Sequence, residues 1–242
     1  MKRYAKVIAR QMPSTLLRVM LICSRNSTYR HIRSRLRVDA GPSTIGCYRD
    51  LKCIFVHIPK TGGISIKKAL LGDTGGTHLP ISMYKAALDP SLFNECFKFT
   101  FVRNPWSRIY SAFRYLRKGG LNEYDKTVAK KFLGQYDDFA HFIKGWLTKR
   151  NSYRIVHFLP QSEFVLLRRD MLAVDFVGKF ENIEKDFSLV SARLGIEASL
   201  ERLNKTLSSS KEYIGQYDNE SKRIVAEVYE QDIRLFGYKF DS

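Results

Sequence analysis

Cationic, small and hydroxyl-bearing residues follow one another in the segment PKTGGIS, residues 59–65, in an order suited to binding an anion. Gly62 and Gly63 leave the backbone N–H groups of the turn accessible, and a helix predicted to begin beside them adds the positive end of its dipole. The Lys60 ammonium adds a full positive charge and three donors. The segment therefore predicts a site for phosphate or a similar anion.

A second candidate anion site lies in the segment FVRNPWSRIYSAFRYL, residues 101–116. Arg103 falls at the carboxyl end of a predicted strand, which is where ligands of parallel α/β sheets bind. Its guanidinium can bind two phosphate oxygens at once, and the hydroxyl of Ser111 on the next predicted helix can donate to a third. Two anion sites at the ends of two strands predict a ligand with phosphate at both ends.

The first segment differs from the loop that binds nucleoside triphosphates. That loop reads GxxxxGK[ST], with its lysine after the glycines, whereas Lys60 precedes Gly62 and Gly63. The sequence also shows no evident apolar strand that ends in an acidic residue and would hold Mg²⁺ beside the turn. Another mononucleotide enzyme, such as a small-molecule kinase, is kept as an alternative function.

Alternating strand and helix patterns predict the elements that position both segments. Residues 53–58 are apolar and rich in β-formers, as in a strand buried on both faces of a parallel sheet. Asn104 and Pro105 suit the cap and the first turn of a helix. A polar connection is predicted at residues 121–136, further strands at 96–103, 163–168 and 175–181, and helices at 15–23, 64–71, 105–117, 137–147, 182–195 and 219–235. This alternation indicates an α/β fold with a parallel sheet and helices on both faces.

Positive charge is concentrated near the N-terminus. The chain has 242 residues and a formal net charge of +17, of which residues 1–50 contribute +9 and residues 51–242 contribute +8. We predict a basic N-terminal extension or linker over residues 1–50 and one domain over residues 51–242. Such a charge favours polyanionic partners, namely nucleic acid, an acidic membrane face, or an anionic glycan or nucleotide. No known nucleic-acid-binding motif is visible, so nucleic acid is not the expected partner and a basic nucleic-acid-binding protein is kept only as the second alternative function.

The apolar run TLLRVMLIC, residues 15–23, is less than half as long as a membrane-spanning helix. No small-residue cleavage site follows it, so a secretory signal is not predicted. Two interpretations are open: a basic amphipathic helix that brings residues 1–37 to an anionic membrane, or an accessory helix packed on the domain. The expected location is the cytoplasm, with peripheral membrane contact as an open alternative. The sequence does not indicate an oligomeric state.

Taken together, the two anion-binding segments resemble the nucleotide-binding motifs of sulfotransferases that use 3′-phosphoadenosine 5′-phosphosulfate (PAPS). PKTGG followed by Ser or Thr is the 5′-phosphosulfate loop of that family, and residues 103–115 match every fixed position of its 3′-phosphate element, RNPxxRxxSxxxY. The similarity is greatest to the carbohydrate branch, which includes the heparan and chondroitin enzymes and bacterial relatives. Runs such as HFLPQSEFVL and VYEQDIRLFGYKF extend it over about residues 51–240. The resemblance implies the α/β sulfotransferase fold, a P-loop-like parallel sheet flanked by helices in a single domain.

The resemblance also implies a reaction, in which a sulfuryl group moves from PAPS to a carbohydrate hydroxyl by in-line displacement with no metal required. It assigns to Lys60, as a catalytic residue, contact with the bridging oxygen between sulfate and phosphate. Arg103 and Ser111 are expected to bind the 3′-phosphate, whereas Arg108 between them is read either as a phosphate ligand or as part of a structural ion pair. The residues expected to bind the 5′-phosphate through backbone N–H or hydroxyl groups are Thr61, Gly62, Gly63, Ile64 and Ser65.

A general base must remove the proton of the acceptor hydroxyl. His78 is the preferred candidate, because it lies in a loop after the phosphosulfate helix, and the heparan-type branch has its catalytic histidine in a comparable region. A histidine near its ordinary pKa accepts a proton around neutrality. His157 and Glu181 are alternatives, and Lys205 and Ser208 are expected to close over the nucleotide. The acceptor is expected to be a polysaccharide, for which the basic body suits an anionic one, or a glycolipid.

Overall fold

The computed structural model describes residues 12–23, 51–72, 78–168, 171–200 and 212–242. Within these ranges the strands are β1 (Cys53–Val56), β2 (Phe97–Val102), β3 (Leu166–Leu167), β4 (Met171–Leu172) and β5 (Phe176–Lys179). The helices are α1 (Ser14–Cys23), α2 (Gly63–Leu71), α3 (Ile81–Ala87), α4 (Pro90–Glu95), α5 (Pro105–Arg117), α6 (Glu123–Phe132), α7 (Phe139–Trp146), α8 (Lys149–Ser152), α9 (Ser162–Val165), α10 (Ile183–Leu194), α11 (Asn219–Val228) and α12 (Glu230–Phe236). Short 3₁₀ turns occupy Val156–Phe158, Phe180–Asn182 and Ile214–Gln216.

The chain divides into two compact units. As far as the residues are described, the first unit comprises Met1–Ile58, Gly62–Val102 and Glu163–Leu203. The second comprises Pro59–Thr61, Arg103–Ser162 and Asn204–Ser242. Most of the predicted N-terminal extension lies outside the described residues, as do Lys205 and Ser208.

The first unit is built on a parallel sheet with the strand order β1-β2-β5. Cys53 pairs with Phe97 in the register of β1 and β2, and Phe99 pairs with Phe176 in the register of β2 and β5. All four residues of β1 are buried, as the apolar composition of this run predicts. Helix α10 packs against β5. The predicted parallel sheet flanked by helices is therefore confirmed.

Helix α1 packs on the first unit. Leu17 and Leu21 are buried and form a small apolar cluster with Ala86 and Ala87 of α3. The helix predicted at residues 15–23 is thus confirmed, and its contacts are those of an accessory helix. None of the described helices combines the length and hydropathy that crossing a bilayer requires. Contact of residues 1–37 with an anionic membrane stays a prediction.

The segment 163–168 was predicted as a strand, and this prediction is wrong for most of its length. Helix α9 covers the first part, and only the two residues of β3 are extended, paired antiparallel with β4. A short buried apolar run has the same composition in either conformation, so its sequence does not distinguish them. A tertiary contact caps the helix instead: Asp232 accepts hydrogen bonds from the backbone N–H groups of Gln161, at 2.7 Å, and Ser162, at 2.8 Å.

Replacing Asp232 by alanine should destabilise the second unit strongly. The Asp232 side chain is fully buried, and its loss would leave two buried backbone N–H groups without an acceptor, at a cost of about 3 kcal/mol in the free energy of unfolding. Urea unfolding of the full chain measures this, with Asp241→Ala as the control because Asp241 is exposed. Equal stabilities of the two variants would contradict the capping role.

Two other predictions also need correction. Residues 121–136 are not simply a polar connection, since they contain α6, which begins after Asn122, whose side chain accepts a hydrogen bond from the backbone of Asp125 at 2.9 Å. The single helix predicted at 219–235 is divided into α11 and α12 at Tyr229. The Tyr229 side chain is fully buried and donates to the carbonyl of Phe158 at 2.7 Å. The predicted helix is therefore interrupted at a residue whose side chain is buried.

The second unit is organised around α5. Asn104 caps this helix by accepting hydrogen bonds from the backbone N–H groups of Trp106, at 3.1 Å, and Ser107, at 3.4 Å, as predicted from the Asn-Pro pair. One face of α5 packs into a largely aromatic core with α7. Ser107, Ser111 and Tyr115 recur at intervals of four residues, so they follow one another along a single stripe of the helix. Ser107 and Tyr115 of this stripe contact the candidate site residues Arg103 and Lys60.

Candidate active site

Lys60 has a backbone conformation that non-glycine residues rarely adopt. Its φ of +70° lies in the left-handed region, where a side chain with a Cβ costs about 1–2 kcal/mol. Arg103 Nη1 donates to the Lys60 carbonyl at 3.3 Å and so helps to hold this turn. Backbone outliers of this kind concentrate at ligand-binding and catalytic sites.

The Lys60 ammonium lies over an aromatic ring. Its Nζ is 4.0 Å from the centre of the Tyr115 ring, within the range of a cation–π contact. Burial, and after it the nearby Arg103, lowers the pKa of Lys60 to about 8, and Asp125 acts in the opposite direction. At neutral pH the site therefore holds a protonated amine that can lose its proton in mildly alkaline solution.

Arg103 is fixed by both its side chain and its backbone. Its Nε donates to Ser107 Oγ at 2.9 Å. The Gln161 side-chain amide accepts from the Arg103 backbone N–H at 2.9 Å and donates to the Arg103 carbonyl at 2.8 Å. Since Gln161 is in turn anchored to Asp232, the guanidinium projects from a rigid support. This role of Gln161 is not predicted from the sequence, since its partner Arg103 lies 58 residues earlier in the chain.

Lys60, Arg103 and Ser111 were predicted to bind opposite ends of one ligand. All three belong to the second unit. The contact between Arg103 Nη1 and the Lys60 carbonyl places the first two directly beside each other. Ser111 is half-buried and lies one helical turn after Ser107, the residue bonded to Arg103. Lys60 and Arg103, the two predicted cationic residues, thus lie next to each other in the structure.

A buried acid–histidine pair lies behind the Tyr115 ring. The Tyr115 hydroxyl donates to Asp125 Oδ2 at 2.6 Å, and Asp125 Oδ1 is 3.1 Å from His157 Nε2. Burial raises the pKa of Asp125, but the hydrogen bonds from Tyr115 and His157 outweigh burial and leave this pKa below its ordinary value. Because an ionised carboxylate only accepts, His157 Nε2 carries a proton. Burial lowers the pKa of His157, with Asp125 opposing the shift.

Asp125 is not among the residues predicted from the sequence, because its segment has the composition of a polar connection. One signal for it is the glycine pair that ends α5. Gly120 has a φ of +65°, and a Cβ at this position would lie 2.2 Å from the Cβ of Asp125. Only glycine therefore allows the chain to turn this closely around the carboxylate.

Arg108 supports the backbone of the second unit. Its fully buried guanidinium donates to the carbonyls of His157, at 3.2 Å, and Leu159, at 2.8 Å. It also lies over the Tyr229 ring, 5.6 Å from its centre. These contacts fix the 3₁₀ turn that carries His157.

In the first unit, two histidines lie beside the beginning of α2. A Cβ added to Gly63 would lie 2.0 Å from His57 Cδ2, so the His57 ring packs directly on the turn. The rings of His57 and His78 are 4.4 Å apart, and His78 Nδ1 is 3.1 Å from the His57 carbonyl. Because a carbonyl only accepts, Nδ1 of His78 carries the proton in the neutral ring and Nε2 has the lone pair. This tautomer has a basic nitrogen at Nε2.

The other predicted residues vary in exposure. Thr61 is fully buried, and Gly62 has a φ of +81°. Ile64 and Ser65 are half-buried in the first turn of α2. Of the two alternative bases, His157 is 6% exposed and engaged with Asp125, whereas Glu181 is exposed in a 3₁₀ turn.

Comparison with known proteins gives the class of this chain. A model of the sulfotransferase family matches residues 47–239. The chain therefore belongs to the sulfotransferase family, as the two motifs predicted.

Two relatives refine this picture. Over 112 residues the chain is 31% identical to carbohydrate sulfotransferase 14 of Danio rerio, covering 41% of this chain and 30% of that protein. Over 128 residues it is 27% identical to an uncharacterized protein of Archaeoglobus fulgidus, covering 52% of this chain and 91% of that protein. The chain thus matches less than a third of the length of the Danio rerio protein. No solved structure matches the chain.

Proposed function

We propose that the chain transfers a sulfuryl group from PAPS to a hydroxyl of a carbohydrate acceptor by in-line displacement. The observation that carries the proposal is the placement of Lys60, half-buried on the Tyr115 ring, directly beside Arg103. A protonated amine next to a rigidly held guanidinium suits a ligand with several negative charges. Membership of the sulfotransferase family supports sulfuryl transfer as the reaction.

Each predicted residue then has a defined task. Lys60 neutralises the charge that develops on the bridging oxygen as its bond to sulfur breaks, which favours the transition state over the bound donor. Arg103 and Ser111 bind the 3′-phosphate. The 5′-phosphosulfate group binds to a P-loop-like turn whose residues are Thr61, Gly62, Gly63, Ile64 and Ser65.

Proton transfer completes the reaction. The acceptor oxygen forms a new bond to sulfur while its proton passes to Nε2 of His78, and adenosine 3′,5′-bisphosphate leaves. The hydrogen bond between His78 Nδ1 and the His57 carbonyl supports this assignment, because it keeps the lone pair on Nε2. No protein-bound intermediate is required.

A carbohydrate acceptor is supported by the similarity to carbohydrate sulfotransferase 14 of Danio rerio and by the surface near Asp125. Leu121 is 75% exposed and Tyr124 is 57% exposed on the loop and first turn that lead to Asp125. An exposed aromatic face can stack on a sugar ring, and the excess of basic residues favours an anionic polysaccharide or glycolipid.

The proposal is tested with labelled PAPS and a panel of polysaccharides and lipid-linked glycans. We expect label to move to at least one glycan, and calorimetry to show binding of adenosine 3′,5′-bisphosphate but not of ATP–Mg²⁺. Tight binding of ATP–Mg²⁺ without binding of the bisphosphate would favour a kinase. Tight, steeply salt-dependent binding of DNA or RNA without either nucleotide would favour a nucleic-acid-binding protein.

The ionisation of Lys60 predicts a pH dependence. A group whose pKa is about 8 is protonated below that pH and loses its charge above it, so kcat/KM for PAPS should fall about tenfold per pH unit in alkaline solution. Lys60→Arg provides the check, since a guanidinium stays protonated. The alkaline limb should be absent from whatever activity or bisphosphate binding that variant keeps. An unchanged limb would assign the titration to another group.

A further inference from the structure

The Lys60 ammonium is subject to opposing influences from four elements of the second unit. Burial and the guanidinium of Arg103, on the loop after β2, favour the neutral amine. The Tyr115 ring on α5 and the Asp125 carboxylate on α6 favour the charged form. His157, on the 3₁₀ turn at Val156–Phe158, also faces the group, and burial lowers its pKa. The positive charge of Lys60 is therefore favoured by the Tyr115 ring and by the Asp125 carboxylate.

Asp125 is held by donors from three directions. Tyr115 Oη donates at 2.6 Å, the backbone N–H of Leu121 donates at 3.4 Å, and His157 Nε2 lies at 3.1 Å. The residue is only 2% exposed. A carboxylate buried to this degree is costly unless it is paired and fully hydrogen-bonded, so the arrangement fixes a negative charge at one place behind the Tyr115 ring.

We propose that Asp125 is a positioning residue that, together with the Tyr115 ring, keeps Lys60 protonated and directed toward the donor. His157 orients the carboxylate and does not itself serve as the base. The use of this charge in sulfuryl transfer rests on the proposed function, whereas the coupling between Asp125 and Lys60 does not. A merely structural Asp125 would stabilise the turn around Gly120 without affecting the protonation of Lys60.

The decisive measurement is the protonation of Lys60 in the full chain. The rate at which an amine-selective acylating reagent modifies Lys60 is followed by mass spectrometry as a function of pH. In Asp125→Asn we expect the midpoint of this titration to move down by about one pH unit, because a nearby buried negative charge is lost. The matched control is Glu123→Gln, which removes a carboxylate from the same helix. Glu123 is exposed and bonded only to Lys126 among the described residues, so its loss should leave the midpoint unchanged.

A second pair of variants tests the ring; both members lose the hydroxyl that donates to Asp125, so the difference between them isolates the aromatic face. Tyr115→Leu removes the aromatic face below Lys60 and should also lower the midpoint, whereas Tyr115→Phe keeps the face and should stay close to the parent protein. This pair decides the matter if Asp125→Asn does not fold. A midpoint that is the same in the parent protein and in each folded variant among Asp125→Asn and Tyr115→Leu would overturn the proposal.

The activity profile separates this proposal from the proposed function. If the parent protein transfers sulfuryl groups, the alkaline limb of kcat/KM should move with the Lys60 midpoint in each variant. Transfer with an unmoved midpoint would overturn the role of Asp125 and leave the function standing. A moved midpoint in a protein that neither transfers the group nor binds the bisphosphate would establish the coupling and overturn the function.

Discussion

Replacing Lys60 by alanine is expected to reduce sulfuryl transfer at least about 10³-fold, since the variant lacks the ammonium that we propose to neutralise the leaving oxygen. The ring of Tyr115 and the guanidinium of Arg103 would stay in place, because neither depends on the Lys60 side chain for the hydrogen bonds described here. Measurement of kcat with labelled PAPS gives the loss. Lys118→Ala is the control. Lys118 is exposed at the end of α5, so its replacement removes the same charge elsewhere in the second unit.

Replacing Lys60 by glycine separates the effect of the side chain from that of the backbone conformation. Lys60 has a φ of +70°, and glycine adopts that conformation without the penalty of a Cβ. Lys60→Gly should therefore lose transfer as fully as Lys60→Ala while the free energy of unfolding rises by about 1 kcal/mol. A stabilised, inactive variant would show that the backbone strain is retained for the sake of the ammonium. Near-normal turnover in either variant would exclude Lys60 from the reaction.

The features that the sequence predicted well are those with local causes. Gly62 and Gly63 identify the turn before α2 because other residues would be strained or would collide with packed side chains. Asn104 followed by Pro105 identifies the beginning of α5, since capping is decided within a few residues. Family membership follows from the same local motifs, which the match over residues 47–239 confirms.

The features that were missed depend on residues far apart in the chain. Asp125 and His157 are separated by 32 residues, and no spacing rule connects a carboxylate with a histidine over such a distance. The Asp232 carboxylate caps backbone N–H groups about 70 residues earlier, which an apolar run such as FVLL does not reveal. Helix α6 is different, because Asn122, the acidic first turn and the lysines of the last turn are local signals. Its sequence was sufficient to predict it.

Replacing His78 by asparagine is expected to lower turnover by about 10²- to 10⁴-fold, the range for losing a general base. Asparagine is preferred to alanine because its amide N–H can replace the His78 Nδ1 donor that faces the His57 carbonyl at 3.1 Å. The loop should then keep its anchor and lose only the basic nitrogen. Calorimetry should show that adenosine 3′,5′-bisphosphate still binds with unchanged affinity, because the proposed role of His78 is to act on the acceptor hydroxyl and not on the nucleotide.

His157 differs from His78 in its burial and in its hydrogen bond to Asp125. His157 Nε2 is already bonded to a buried carboxylate, and the ring is 6% exposed, so an acceptor hydroxyl has little access to it. His157→Gln should therefore weaken transfer through the position of Lys60 and displace the alkaline limb of the pH profile. His78→Asn should lower kcat and leave that limb where it is. If His78→Asn keeps its turnover while His157→Gln loses it with no change in the limb, the base is His157, and the buried pair with Asp125 is catalytic rather than positioning.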